Sequence, residues 1–232
     1  MRFISIHKAN ASTEAGEPPS AELMAGMGPL MGEMIEAGVF LAGEGLRASS
    51  TGVRLHFSGG KRTITKGPFT GSNELTDRYL IVNVHSIDEA VDWATRFAGD
   101  TDAEMDIRPL TEMWDIGMGP KPAGQTTTRF MIQRKSDSRT EAGMRPEENL
   151  AAIPPSVLLA TEALRPSSEG IRLRYTGGKR TVIDGPFTES KELIAGFSIM
   201  EAPSIEEAAA WASRFAALFG DVEMDIRPLY ES

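Results

Sequence analysis

Apolar and polar positions alternate from the first residues. Phe3-Ile4-Ser5-Ile6-His7 has the two-residue period of a strand. The period then lengthens. Leu23, Met27, Leu30, Met31, Met34 and Ile35 recur at helical spacing behind Ser20, which is placed to be the N-cap, with Gly26, Gly28 and Pro29 weakening the pattern. A short apolar run from Val39 to Ala42 predicts a second strand. Arg54-Leu55-His56-Phe57 and Arg62-Thr63-Ile64 form a predicted hairpin turned by Ser58-Gly59-Gly60. Tyr79 to Val84 is the next strand. Ser86 followed by Glu89 is a capping box, opening a helix that buries Ile87, Ala90, Val91, Ala94 and Ala98 on one stripe. Glu104-Met105-Asp106-Ile107-Arg108-Pro109 closes the series as a strand.

The whole series then recurs. Leu46-Arg47 returns as Leu164-Arg165, and Gly52-Val53-Arg54-Leu55 as Gly170-Ile171-Arg172-Leu173. Gly59-Gly60-Lys61-Arg62-Thr63 returns unchanged at Gly177 to Thr181, and Glu104 to Leu110 at Glu223 to Leu229. The first strand is matched by Phe130 to Arg134, so His7 aligns with Arg134. The copies differ most at the first helix, whose equivalent near Pro146 to Ala152 is short and broken by Pro154-Pro155. Self-similarity of this length divides the chain into residues 1–114, a Gly-, Pro- and Thr-rich linker at 115–127, and residues 128–232. Strand, helix, strand, insertion, strand, helix, strand is the order of a split βαβ, ferredoxin-like α+β module. Its helices cover one face of an antiparallel sheet. The other face needs a partner, and the second copy is the obvious one, giving two sheets packed face to face.

Composition adds exclusions. Of 232 residues, 41% are hydrophobic and 25% charged, as in a globular protein. No apolar run is long enough to span a bilayer, and the amino terminus reads as a strand rather than an export signal, which places the chain by expectation in the cytoplasm, away from membranes. Cysteine is absent, so disulfides and thiolate chemistry are excluded. A net charge of −9 argues against direct binding of nucleic acid. The basic Gly-Gly-Lys-Arg turns read as solvated hairpin tips.

At Asp184-Gly185-Pro186-Phe187-Thr188-Glu189-Ser190-Lys191-Glu192 the chain resembles the YCII-related, or DGPF, family, with Ala42-Gly43-Glu44-Gly45-Leu46 and the Trp-Ala of the second helix in support. The resemblance covers both halves. It implies a dimeric α/β barrel built from two ferredoxin-like sheets, here fused on one chain, in a family whose function is largely unestablished. Relatives in the wider superfamily include small oxygenases and isomerases, and some members are encoded near alternative sigma factors. The first copy departs from the signature: Lys66-Gly67-Pro68-Phe69-Thr70-Gly71-Ser72-Asn73-Glu74 has Lys for Asp, Gly for Glu and Asn for Lys.

Two constellations carry candidate chemistry. The first copy keeps Gly-Pro-Phe without the acids, so the turn does not need Asp184 and Glu189. These are candidates for acid/base work or ligand binding, against a reading as an Asx-turn with solvated charge. On the last strand, period-two geometry sets Glu104, Asp106 and Arg108 on one face, and Met105 and Ile107 on the other. The charged set, repeated as Glu223, Asp225 and Arg227, is expected where the sheets approach. There Arg108, Arg134 and Arg227 are expected to hold an anionic ligand and Asp225 to act as base, against a reading as an ion-pair network that sets register. His7 is the one histidine placed to enter the same cleft as a general base. His56 and His85 read as surface residues, and three scattered histidines make no metal site. No cofactor fingerprint is present. The expectation is therefore a small-molecule, anion-binding protein or an enzyme of unassigned reaction, free to pair as a homodimer of fused pseudo-dimers. The alternatives are a regulatory interaction module linked to transcription and an inactive structural pseudo-dimer.

Overall fold

The computed structural model describes residues 1–70, 74–145, 149–187 and 193–231. In chain order the strands are β1 (Arg2–Lys8), β2 (Phe40–Gly45), β3 (Val53–Ser58), β4 (Lys61–Lys66), β5 (Thr76–Val84), β6 (Ala103–Pro109), β7 (Thr128–Lys135), β8 (Leu158–Ala163), β9 (Ile171–Thr176), β10 (Lys179–Asp184), β11 (Ile194–Glu201) and β12 (Val222–Pro228). The helices are α1 (Ala11–Glu14), α2 (Ala21–Glu36), α3 (Ile87–Ala98), α4 (Ser138–Glu141) and α5 (Ile205–Ala216). The Ser20 and Ser86 side chains cap as expected, accepting from the backbone N–H of Leu23 and Glu89, but the Glu89 carboxylate accepts from the N–H of His85, one residue before the cap, and so does not close the expected capping box on Ser86. The short helices α1 and α4, each held by a capping box from Asn10 or Asp137, were not expected.

The strands form two six-stranded antiparallel sheets, ordered β10-β9-β12-β1-β11-β2 and β4-β3-β6-β7-β5-β8. The last four strands of the first order trace the ferredoxin-like arrangement, with the hairpin β9–β10 added beside β12. Each sheet is assembled from both sequence repeats. β1 lies between β12 and β11, with Ser5 opposite Ser198 on one side and Ile226 on the other. β2 pairs with β11 in turn. In the second sheet β7 and β8 flank β5, beside β6. The repeats thus exchange their amino-terminal strands. The chain changes sheets at two equivalent places: Leu46 donates to the Ala195 carbonyl and bridges Leu110, and Leu164 donates to the Asp77 carbonyl and bridges Leu229.

Three apolar layers hold this arrangement. Leu55, Leu80, Val82, Met105, Ile107 and Ile132 pack under α3. Phe3, Leu173, Met200, Met224 and Ile226 pack under α2 and α5. Between the sheets, Ile4, Ile6, Ile199 and Phe197 meet Tyr79, Ile81 and Met131, with the Tyr79 and Phe197 rings 4.6 Å apart. The inter-sheet layer is therefore a packed core rather than an open cleft. No helix among the described residues is long and apolar enough to cross a membrane.

Candidate functional site

Alternation on β6 and β12 works as counted. Met105, Ile107, Met224 and Ile226 join the helix-side cores, which turns Asp106, Arg108, Asp225 and Arg227 toward the opposite sheet, each no more than 2% exposed. Their partners divide them into two kinds of contact.

The two arginines staple the sheets. Arg108 donates to the Ile194 carbonyl of the other sheet at 2.6 Å and to the Arg47 carbonyl, and meets Glu14 at 3.3 Å. Arg227 repeats this with the Thr76 carbonyl at 2.6 Å, the Arg165 carbonyl and Glu141. Glu14 and Glu141, delivered by α1 and α4, also accept from the backbone of Ser49 and Ser167, at the points where the chain changes sheets. The donors expected to hold an anion are thus turned onto main-chain oxygens. Burial lowers both guanidinium pKa values, against the pull of these carboxylates. Arg134 is also engaged, clasping Asp77 through Nε and Nη2 at 2.8 and 3.1 Å.

The two aspartates centre buried ionic clusters. Asp225 receives Nε and Nη2 of Arg172 at 2.6 and 2.9 Å and Nζ of Lys8 at 2.9 Å. Arg172 lies 4.5 Å over the Phe187 ring and 3.2 Å from Glu223, which pairs with the half-exposed Arg174 at 2.7 Å. In the other sheet Asp106 receives Arg54 at 2.6 and 2.8 Å and Lys135 at 3.0 Å. Arg54 also bonds Glu74 at 2.9 Å and lies 4.7 Å over Phe69, and Lys135 contacts Glu74. Strand exchange makes each cluster a joint product: Lys8 comes from the first repeat to the second repeat's Asp225, and Lys135 from the second to the first repeat's Asp106.

The Gly-Pro-Phe turn is the roof of each cluster. Gly67 and Gly185 press on the carbonyls of Ser49 and Ser167 so closely that a Cβ would overlap them, which requires glycine there. The N–H of Phe69 and Phe187 then donates to the Ser49 and Ser167 hydroxyls at 3.1 and 3.2 Å, seating each ring under its arginine. This explains why the motif survives in a copy that has lost its acids.

The clusters are electrically unequal. Burial raises the Asp225 pKa, but Lys8 and Arg172 outweigh it and the net shift is downward. At Asp106 burial prevails over Arg54 and the net shift is upward. Burial, with the charges of Arg54 and Lys8, holds the Lys135 ammonium well below its ordinary range.

The remaining candidates lie elsewhere. Asp184 is exposed at the end of β10, and Glu189 falls outside the described residues. His7 corrects the expectation: it shares the parity of Phe3 and turns to the helix side, 5.7 and 5.8 Å from the rings of Phe215 and Phe219 rather than toward Asp225. Burial there lowers its pKa to about 4 and keeps it neutral. Sequence reasoning passed over Lys8, Lys135, Arg54 and Arg172, although all four are identical in the two copies. Among the described residues no three His, Asp or Glu converge as metal ligands.

The YCII-related domain matches residues 1–113 and again residues 130–226. The chain belongs to the YCII-related family. A curated relative, an uncharacterized protein R00369 of Rhizobium meliloti (strain 1021), is 39% identical over 49 residues, 21% of this chain and 40% of that protein. The match thus spans less than half of that relative. No solved structure matches the chain.

Proposed function

We propose that this family member binds a small anionic molecule beside the second repeat's signature turn, where Lys8, Arg172 and Arg174 gather around Asp225 and Glu223. The observation that carries the reading is the buried Lys8–Asp225–Arg172 cluster itself. Taking three such ions out of water costs several kcal/mol each before pairing, and apolar residues of similar volume would hold two sheets together at least as well. The cluster sits directly under the Asp-Gly-Pro-Phe turn, and Arg174 and Glu223 lead from it to solvent. Asp225, kept ionised by its neighbours, orients the two cations. Arg108 and Arg227 play no part, since their donors lie on carbonyls.

Backbone amide shifts of the protein titrated with inorganic phosphate and a panel of small carboxylates test this. Saturable movement of the amides of Arg172, Arg174, Phe187 and Asp225 is expected, weakened in Arg174→Ala, whose half-exposed side chain can be removed without unfolding the chain. Responses confined to other residues, or unchanged in Arg174→Ala, defeat the reading.

A further inference from the structure

Each signature turn leans on a helix that has nothing apolar to hold it. α1 and α4 are four residues long, too short to persist alone, and neither buries an apolar side chain. Polar contacts at two ends set their places. Just before α4, Lys135 contacts Glu74, the Ser136 N–H donates to the Leu75 carbonyl at 2.8 Å, and the Gln133 amide donates to the Thr76 hydroxyl at 2.7 Å. At the end of α4, Glu141 accepts from the Ser167 N–H at 3.0 Å and from Arg227 at 3.3 Å. The Ser167 hydroxyl in turn accepts from the Phe187 N–H at 3.2 Å. Arg227 closes the path, because it also donates to the Thr76 carbonyl. Glu74 to Thr76, where the first repeat's signature ends, is thus joined to the second repeat's turn through Arg227, Glu141 and Ser167. The mirror path starts at the Leu193 and Ile194 carbonyls, which accept from the Ala9 N–H and from Arg108, and runs through Glu14 and Ser49 to Phe69.

We propose that α1 and α4 are latches that couple the two signature turns, so that the seating of each turn depends on the other repeat. A latched helix keeps its carboxylate on the serine and the arginine. An unlatched one loses those bonds and has no apolar contact to retain it. Segments with few buried apolar contacts are the ones that open locally while the cores stay closed. The carboxylate is the moving part: the Glu141 side chain is 23% exposed, whereas Arg227, at 1%, is fixed by the two carbonyls it donates to. Coupling of this kind is reciprocal, so whatever loosens Glu74 to Thr76 loosens Phe187, and the converse holds. Latching does not depend on what binds beside the turn, and the proposal stands apart from the anion-binding reading.

Hydrogen exchange of the Phe187 amide tests the coupling, followed by nuclear magnetic resonance on the intact chain and referred to amides at the centres of β5 and β11. Glu141→Ala removes the latch and is expected to speed Phe187 exchange about tenfold while the central amides hold their rates. Asp137→Ala removes only the exposed cap of α4 and is expected to speed it about fivefold. Glu74→Gln, in the first repeat, is expected to speed it as well, but not further in a chain that already carries Glu141→Ala. Thr76→Val is the first-repeat change to use if Glu74→Gln does not fold. Phe187 rates unchanged by Glu141→Ala or Asp137→Ala, or unchanged by the first-repeat variant, overturn the proposal. A first-repeat effect that persists in full beside Glu141→Ala overturns it too, because the path then bypasses the latch. An increase shared equally by the central amides is global unfolding rather than an open latch, and overturns it as well.

Discussion

Asp225→Ala tests the buried cluster most sharply, because it removes one carboxylate and leaves two cations. Lys8 and Arg172, 6% exposed each, then face a cavity in a layer bounded by apolar core. Removing one partner of a buried ion pair costs about 3–5 kcal/mol. For a chain of this length each kcal/mol lowers the melting temperature by about 2–4 °C, so a fall of about 6–20 °C is expected. Lys8→Met is milder, since Asp225 keeps its two-point contact with Arg172. The loss there is about 1–3 kcal/mol, the worth of a hydrogen bond to a charged group together with the exposed desolvation cost. Combining Lys8→Met with Asp225→Ala should cost less than the two separate losses together, with a coupling of about 0.5–3 kcal/mol. Urea unfolding followed by circular dichroism gives all three values. Asp184→Ala is the control, at an exposed position expected to lie within about 0.5 kcal/mol of wild type. A loss below about 1 kcal/mol for Asp225→Ala, or strict additivity with Lys8→Met, would refute the argument that Lys8 of one repeat and Asp225 of the other form one electrostatic unit.

Two further outcomes follow from the same contacts. His7 has a folded-state pKa of about 4, below its ordinary value of 6.5, so it binds more protons unfolded than folded. Stability from this group is present above about pH 6.5 and is lost as pH falls toward 4, by up to about 3 kcal/mol, and His7→Phe should flatten the pH dependence of urea unfolding across that window. Gly185→Ala forces a methyl into the Ser167 carbonyl and lifts Phe187 from Arg172, with a cost of about 1–3 kcal/mol or more, whereas Gly28→Ala, which meets nothing in α2, should stabilise by about 0.5–1 kcal/mol. Equal thermal shifts for the two glycine variants would contradict the close approach at Gly185.

Much of this is legible in the residues. The repeat, the order of elements, the capping serines and the facing of Asp106 and Asp225 all follow from spacing, because local propensity and period-two geometry depend only on neighbours. The exchange of strands does not follow. Phe3-Ile4-Ser5-Ile6 presents the same edge whether it pairs with strands of its own repeat or of its sister, so a near-symmetric duplication hides which copy supplies the partner. His7 departs from expectation for a smaller reason: its place at a strand end suggests the cleft, whereas counting in twos from Phe3 puts it on the helix side, and parity prevails. Lys8, Lys135, Arg54 and Arg172 match between copies, but lysines and arginines on half-buried strands read as solvent-facing until the opposite sheet is known. The staples of Arg108 and Arg227 end on carbonyl groups, which leave no mark in a sequence.

Strand exchange is the claim on which the joint clusters depend, and the cysteine-free chain allows it to be measured by directed disulfide formation. Ser5 of β1 lies directly opposite Ser198 of β11. Facing antiparallel residues place their Cα atoms about 4.5–5.5 Å apart, within disulfide reach. If β1 instead paired within its own repeat, its partner would be Leu80, as Ile132 is opposite Leu80 in the second sheet. Oxidation of Ser5→Cys/Ser198→Cys should give a monomer cross-linked between the repeats, seen after digestion as a β1 peptide joined by a disulfide to a β11 peptide, while Ser5→Cys/Leu80→Cys should remain unlinked. The reverse pattern, with the second variant closing and the first staying open, would show each repeat to be self-contained and would contradict the account.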